Sequence, residues 1–402
     1  MHVKSIICVD LRSSLLLFVF LRGNEFLGIA NGMKSLFRIM VSAALGGFLC
    51  GLTVSCGRGT GSDVRSSCAY AEYFDVFDGG VVSISPYDGR RDTLLVDEPL
   101  ESIVCMSSSH VACLAAVQAD SVISAVSGIR YISNPSLRDR YDAGNLYDIG
   151  YEPSLDYERI MSLKPDLLVA YTVSGAEPQY LAKLRTLGIP VLVLHDHIEN
   201  HPLARAEYVR LFGRLSGRLE AADSVFAAVC DRYTALAEEV RNAPDGRIVK
   251  VLLNIPYGDV WYIPGAENYM SQLIRDAGGE VLGAAEGESR SRAVGMEEAY
   301  RLSQYADIWL NPGHCRTRDE LEHVHQLFPS FGPLDKGLPV YNNTLRTTPE
   351  GGNDFWESGA VRPDLVLEDM VVMLRGERFL DYARNDVGVN ARNDVHYFFE
   401  LE

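Results

Sequence analysis

Three imidazoles fall within seven residues at His195, His197 and His201, with Asp196 between the first two. Neutral imidazole binds zinc and other first-row transition ions readily, and carboxylates can complete such a set. At the end of an apolar strand, alternation points His195 and His197 to one face and leaves His201 beyond a turn, so His314 or His110 would have to supply the remaining ligand. A second group carries aromatic faces or guanidinium forks: Arg130, Tyr131, Tyr171, Tyr257, Trp261, Tyr262, Arg316 and Arg346. Aromatic planes suit a flat macrocycle or catechol rings, and arginines suit carboxylates or an anionic metal complex. For any one of these residues, ordinary packing or a solvated loop charge is the simpler role. The chain has no nucleophile elbow, no Ser/His/Asp run, no phosphate-cradling GxxxxGK[ST] loop and no GxGxxG after a strand. These residues therefore point to binding rather than catalysis.

The elements that must position them follow from periodicity. Leu219, Ala222, Phe226, Val229, Tyr233, Leu236 and Val240 recur at steps of three and four and predict one long helix. Ser216 and Gly217 precede it, and Asn242 to Gly246 ends it. Before it, short alternating segments from Ala71 to Val96, broken by Asp78-Gly79-Gly80 and Asp88-Gly89, predict antiparallel hairpins. A β/α rhythm then sets in. Strands are expected at Ile103–Met106, Val122–Val126, Asp166–Tyr171 and Ile189–Leu194, with helices at His110–Ala119, Asp156–Leu163 and Pro178–Leu187. The rhythm resumes beyond the long helix. Strands are expected at Val249–Leu253, Ile308–Leu310 and finally Pro339–Tyr341, with helices at Tyr269–Ala277, Met296–Gln304, Glu320–Leu327 and Asp364–Leu374. Unbroken Val/Leu/Ile strands alternating with helices imply parallel sheets covered on both faces. The fold class is α/β: two Rossmann-like lobes with mostly parallel sheets, joined by one long rigid interdomain helix.

Composition is consistent with two lobes. The chain has 402 residues, 47% of them hydrophobic, which exceeds the usual size of a single core. A net charge of −17, from 54 acidic and 37 basic residues, argues against nucleic acid and against strong binding to an anionic membrane surface. Met33-Lys34-Ser35-Leu36-Phe37-Arg38 is a basic start, and Ile39–Val54 is an apolar run too short to span a bilayer comfortably. It ends at Leu52-Thr53-Val54-Ser55-Cys56, which resembles a bacterial lipoprotein signal with Cys56 as the acylated residue. The polar run Gly57–Ser67 follows as a tether. The apolar run Leu15–Leu21 has no place in that scheme, so translation is read as starting at Met33. The expected organisation is a signal region 1–55, a tether 56–70, an N-terminal lobe 71–201, connecting helices 202–244, and a C-terminal lobe with tail 245–402. Apart from Cys56, the cysteines from there onward are Cys68, Cys105, Cys113, Cys230 and Cys315, with no CxxC pair. That pattern is neither a disulfide framework nor a zinc knuckle.

The run from Gly150 to Val169, GYEPSLDYERIMSLKPDLLV, resembles the "N-L-E-x-I-x-x-L-K-P-D-L-I/V" motif of class III bacterial substrate-binding proteins, which serve ABC importers of ferric siderophores, haem and cobalamin. Leu187–Val191, Trp261–Tyr269 and Asp276–Gly279 are similar to the same family in the same order. His201–Tyr208 and Gly352–Glu357 resemble a lipoprotein branch common in Bacteroidetes. The similarity covers Val96 to Arg375.

The resemblance implies a helical-backbone metal-receptor architecture: a bilobed, monomeric protein with no catalytic cofactor, held at a membrane by a lipid and facing the periplasm. Its ligand would be an iron–siderophore complex, haem or cobalamin, and its partners an ABC permease with its ATPase. Ligands of such folds meet the C-terminal ends of parallel strands. That places Ser107–His110, Arg130, Tyr131, Tyr171 and His195–His197 on one side of the cleft, and Tyr257, Trp261, Tyr262, His314, Arg316 and Arg346 on the other. The resemblance also implies one exposed carboxylate on each lobe that docks onto permease arginines. Glu158 matches the first, and either Glu297 or Glu298 the second. A free zinc or manganese receptor built on His195, His197 and His201, and a chelatase-like enzyme, are the competing readings. The long helix implies a cleft that changes by small adjustments rather than by wide closure.

Overall fold

The structure, a computed structural model, describes residues 68–243, 246–376 and 395–402. Met33, the apolar run, Cys56 and the tether to Ser67 lie outside the described residues.

The alternating segments form an antiparallel sheet of β1 (Phe74–Phe77), β2 (Gly80–Ile84) and β3 (Arg91–Leu95). Gly79, at φ +102°, makes the β1–β2 turn in a backbone region that L side chains rarely adopt. The first lobe then runs β4 (Ile103–Cys105), α1 (Ser108–Ala116), β5 (Ile123–Val126), α2 (Pro135–Asp142) and β6 (Tyr147–Asp148). It continues through α3 (Tyr157–Leu163), β7 (Leu167–Tyr171), α4 (Gln179–Thr186) and β8 (Val191–Leu194). Its sheet has the order β6-β5-β4-β7-β8, and every pairing is parallel. All three residues of β4 are buried, as expected for a central strand with helices on both faces.

Two helices follow, α5 (Pro202–Leu215) and α6 (Leu219–Arg241). His201 caps α5, its Nδ1 accepting from the Leu203 amide at 3.1 Å, with Pro202 in the first turn where a missing N–H does no harm. The α6 stripe buries Ala222, Phe226, Val229, Tyr233, Ala237 and Val240, and at about 1.5 Å per residue the helix is ~35 Å long. At Gly213 the two helices touch so closely that an added Cβ would overlap the Ala222 methyl. Buried carboxylates bind the entering chain to this helix pair. Glu207 on α5 accepts from the amides of Ala69, Tyr70 and Ala71 at 2.8–2.9 Å. Glu199, just ahead of α5, accepts from those of Glu72 and Tyr73 at 3.0–3.2 Å.

The second lobe runs β9 (Val249–Leu253), β10 (Val260–Ile263), α7 (Tyr269–Asp276), β11 (Gly279–Val281), β12 (Arg292–Gly295), α8 (Met296–Ser303) and β13 (Ile308–Leu310). After these come α9 (Arg318–Glu322), α10 (Gly332–Asp335), β14 (Val340–Asn342), α11 (Ser358–Val361), α12 (Pro363–Arg375) and β15 (Phe399–Glu400). Its main sheet has the order β11-β9-β13-β14-β15, parallel except for β15, while β10 and β12 pair separately. The expected last strand is therefore not the last, because β15 returns antiparallel along β14. The expected helix at Glu320–Leu327 stops at Glu322 and gives way to turns. The long helix is tied to this lobe by Tyr233 Oη donating to Asp276 at 2.6 Å and Arg232 pairing with Asp364 at 2.7 Å. The five described cysteines are free thiols.

Candidate functional site

The C-terminal ends of the first lobe's strands converge on a small polar basin. Ser107 and Ser109, where β4 passes into α1, bond to each other at 2.9 Å, and Ser109 Oγ donates to Asp196 Oδ2 at 2.7 Å. Asp196 lies in the short turn after β8, with His110 Nε2 3.4 Å from its Oδ1. Burial alone would raise the Asp196 carboxyl, but the bond to His110 and the charges of His110, His197 and Arg205 hold it well below the usual carboxylate range. His197 stands edge-on to Tyr171 at the end of β7, ring centroids 5.7 Å apart. Arg205 on α5 stacks over Tyr269 at 4.6 Å, and its Nε has no hydrogen-bond partner among the described residues. Trp356 of the second lobe completes the lining, leaving a volume of about 20 Å³, room for a single water.

Beside the basin the lobes meet in a hydrogen-bonded seam. Thr348 Oγ1 donates to the Arg130 carbonyl at 2.7 Å. The two Glu357 oxygens accept from the amides of Ser133 and Asn134 at 2.6 and 2.8 Å. Burial pushes the Glu357 carboxyl up to about 8 despite those two donors. Gly352 lies against Tyr131 so closely that any Cβ would overlap its carbonyl. On the other side of the seam a cavity of about 930 Å³ opens between α1, the start of α2, α6 and residues 346–362.

The structure brings only part of the expected set together. Tyr171 and His197 line the basin, Arg130 and Tyr131 stand at the seam, and Arg346 lines the large cavity, where it pairs with Asp354 at 2.7 Å. Trp261 is a correction. It is 1% exposed in the second lobe's core, its Nε1 donates to the Leu253 carbonyl at 2.9 Å, and it packs with Trp309, Phe328 and Phe331. Tyr262, next along β10, is half-buried. Tyr257, His314 and Arg316 are exposed on loops after β9 and β13.

The three histidines do not share a face, because Asp196 begins a helical turn that breaks the alternation. His195 is 4% exposed, lies edge-on to Tyr87 at 6.0 Å, and is driven down to about 4 by burial. His197 faces the basin, and His201 packs between Tyr70 and Tyr233. Among the described residues no group of three or more His, Cys, Asp or Glu side chains could hold a metal ion. Glu158 is exposed in the first turn of α3, as is Glu297 in that of α8, whereas Glu298 pairs with Arg292 at 3.0 Å.

Arg205, Trp356 and Glu357 are the functional candidates that residue types alone did not single out. The signal for Arg205 is an arginine on the apolar side of a helix, which must meet either an anion or an aromatic face.

A family profile described as periplasmic binding protein matches residues 103–326, more than half of the chain. The chain belongs to the periplasmic binding protein family. Proteins of this family deliver a bound solute to an ABC permease. The chain is 22% identical over 294 residues to a protein of Methanocaldococcus jannaschii described as an uncharacterized lipoprotein, covering 71% of this chain and 67% of that one. Among solved structures, a periplasmic binding protein from Veillonella parvula superposes with a TM-score of 0.55 at 14% identity, over 74% of this chain and 98% of that one. A periplasmic heme binding protein from Pseudomonas aeruginosa gives 0.52 at 18% identity, over 69% and 93%. At these identities the likeness is one of fold: periplasmic binding proteins of two α/β lobes. No helix of the described residues is long and apolar enough to cross a membrane.

Proposed function

We propose that this periplasmic binding protein captures a metal chelate, either a ferric siderophore, haem or cobalamin, at the strand-end face between its lobes, which part there to admit it because the basin as it stands holds only about 20 Å³, and hands it to an ABC permease. Residues 71–201 and 245–402 serve as the two lobes and 202–244 as their connector. Cys56 carries the lipid that holds the protein to the membrane on its periplasmic side. The observation that carries the reading is the aromatic character of the strand ends. Tyr131, after β5, and Tyr151, after β6, pair at 6.4 Å, Tyr171 at the end of β7 meets His197, and Trp356 of the second lobe lines the basin with those last two. Such planes offer a flat, polarisable ligand contact area without demanding one hydrogen-bond pattern. The heme binding protein of similar fold is named for a ligand of this shape.

Absorbance titrations with hemin, cyanocobalamin and several ferric siderophores test the reading. One of them is expected to bind saturably at 1:1, with Tyr171→Ala or Trp356→Ala weakening it by about tenfold or more. Binding of bare zinc or manganese with none of the chelates would reject it in favour of a metal-ion receptor.

A further inference from the structure

The 930 Å³ cavity shares no lining residue with the strand-end basin, and Thr348 and Glu357 of the seam belong to its wall. Its volume falls within the ~300–1,000 Å³ typical of small-molecule sites. Its floor is apolar for a specific reason. Ala112, Ala115 and Ala116 of α1, and Val225, Ala228 and Val229 of α6, occupy the same i, i+3, i+4 face of each helix. Two helix faces of small side chains leave a slot where larger residues would have met.

The rim is basic, although the chain carries a net charge of −17. Arg138, Arg232, Arg346 and Arg362 all line it. Arg232 and Arg362 share one carboxylate, Asp364, at 2.7 and 2.9 Å, and Arg346 holds Asp354. Arg138 makes no ion pair among the described residues; its Nη1 only donates to the Ile132 carbonyl at 3.4 Å. Four guanidiniums less two carboxylates leave two positive charges around the opening. The other carboxyl of the wall, Glu357, is pushed up to about 8 by burial, with the charge of Arg138 acting against that. Guanidinium forks are weakly hydrated and match a carboxylate with two parallel bonds, as Asp364 already demonstrates on this rim.

We propose that this cavity is a second binding site, separate from the strand-end face, that takes an amphipathic carboxylic acid. The apolar body lies between the α1 and α6 faces and the carboxylate meets Arg138 at the rim. Because both lobes and the long helix line the cavity, its occupant contacts all three.

The probe is dansyl-labelled undecanoic acid, with its primary amide as the uncharged counterpart. The acid is expected to bind the intact protein saturably at 1:1 with a blue-shifted emission, and the amide to bind about tenfold more weakly. Ala228→Trp, at an exposed position of the slot, should weaken both by about tenfold or more, since it fills the floor. Arg138→Gln should weaken the acid and leave the amide unchanged, and it serves alone if Ala228→Trp does not fold. Absence of saturable binding, equal affinity for acid and amide, or an Arg138→Gln variant that binds the acid as the wild type does would overturn the proposal.

Discussion

Glu199, Glu357 and His195 are buried titratable groups that pull stability in opposite directions along the pH scale. Burial raises Glu199 to about 7 and Glu357 to about 8 from an ordinary 4.5, so the folded state favours their neutral forms. Their contribution is complete below 4.5 and is lost as pH rises through those values. His195 is lowered to about 4 from 6.5, so its contribution is complete above 6.5 and is lost as pH falls toward 4. Between 4.5 and 6.5 the two effects oppose one another, and above 6.5 only the carboxyl loss continues. Thermal melts should therefore show lower stability at pH 8 than at pH 6.5. Glu357→Gln should remove about 2 kcal/mol of that decline. An unchanged slope in the variant would assign the decline to other groups.

Among the elements, the α5–α6 pair is the one on which both lobes depend, and Gly213 is its closest point. Gly213→Ala must push the helices apart, because the obstruction is a methyl group on a packed helix with the Arg218 carbonyl beside it. Overpacking of this kind costs about 1–3 kcal/mol, which urea denaturation would show as a lower midpoint at constant m. A midpoint equal to that of wild type would mean that the pair slides without cost. Long elements such as these were legible in the sequence. The stripe on α6 and the strands at Val249–Leu253 and Ile308–Leu310 sit where the apolar pattern puts them, because their apolar residues are buried, with only Lys250 exposed in the two strands. Helix α2 was not legible: of its eight residues only Leu137 is buried, so it carries no stripe. The two-residue strands β6 and β15 are shorter than any period. That Tyr171 and His197 lie near the strand ends was legible because the strands before them are recognisable, whereas the direction of His197 was not, since the turn at Asp196 breaks the alternation. Trp261 misled because an indole that satisfies its N–H on a backbone carbonyl can be wholly buried, and only the packing of β10 reveals it.

At the scale of the whole molecule, exposed carboxylates stand in the first turn of a helix on each lobe, Glu158 on α3 and Glu297 on α8. If they are the permease contacts, the double variant Glu158→Arg with Glu297→Arg should bind its chelate as the wild type does yet fail to support uptake. Normal transport by that variant would remove them from the docking surface. The grip of Glu207 and Glu199 on the amides of Ala69 to Tyr73 bears on how such a molecule carries load. A pull on the chain ahead of Ala69 is taken up by amide-to-carboxylate bonds to Glu207 on α5 and to Glu199 just before it, not by a strand of either lobe's sheet. A load applied there would reach the molecule through the start of α5 before it reached the sheet of either lobe.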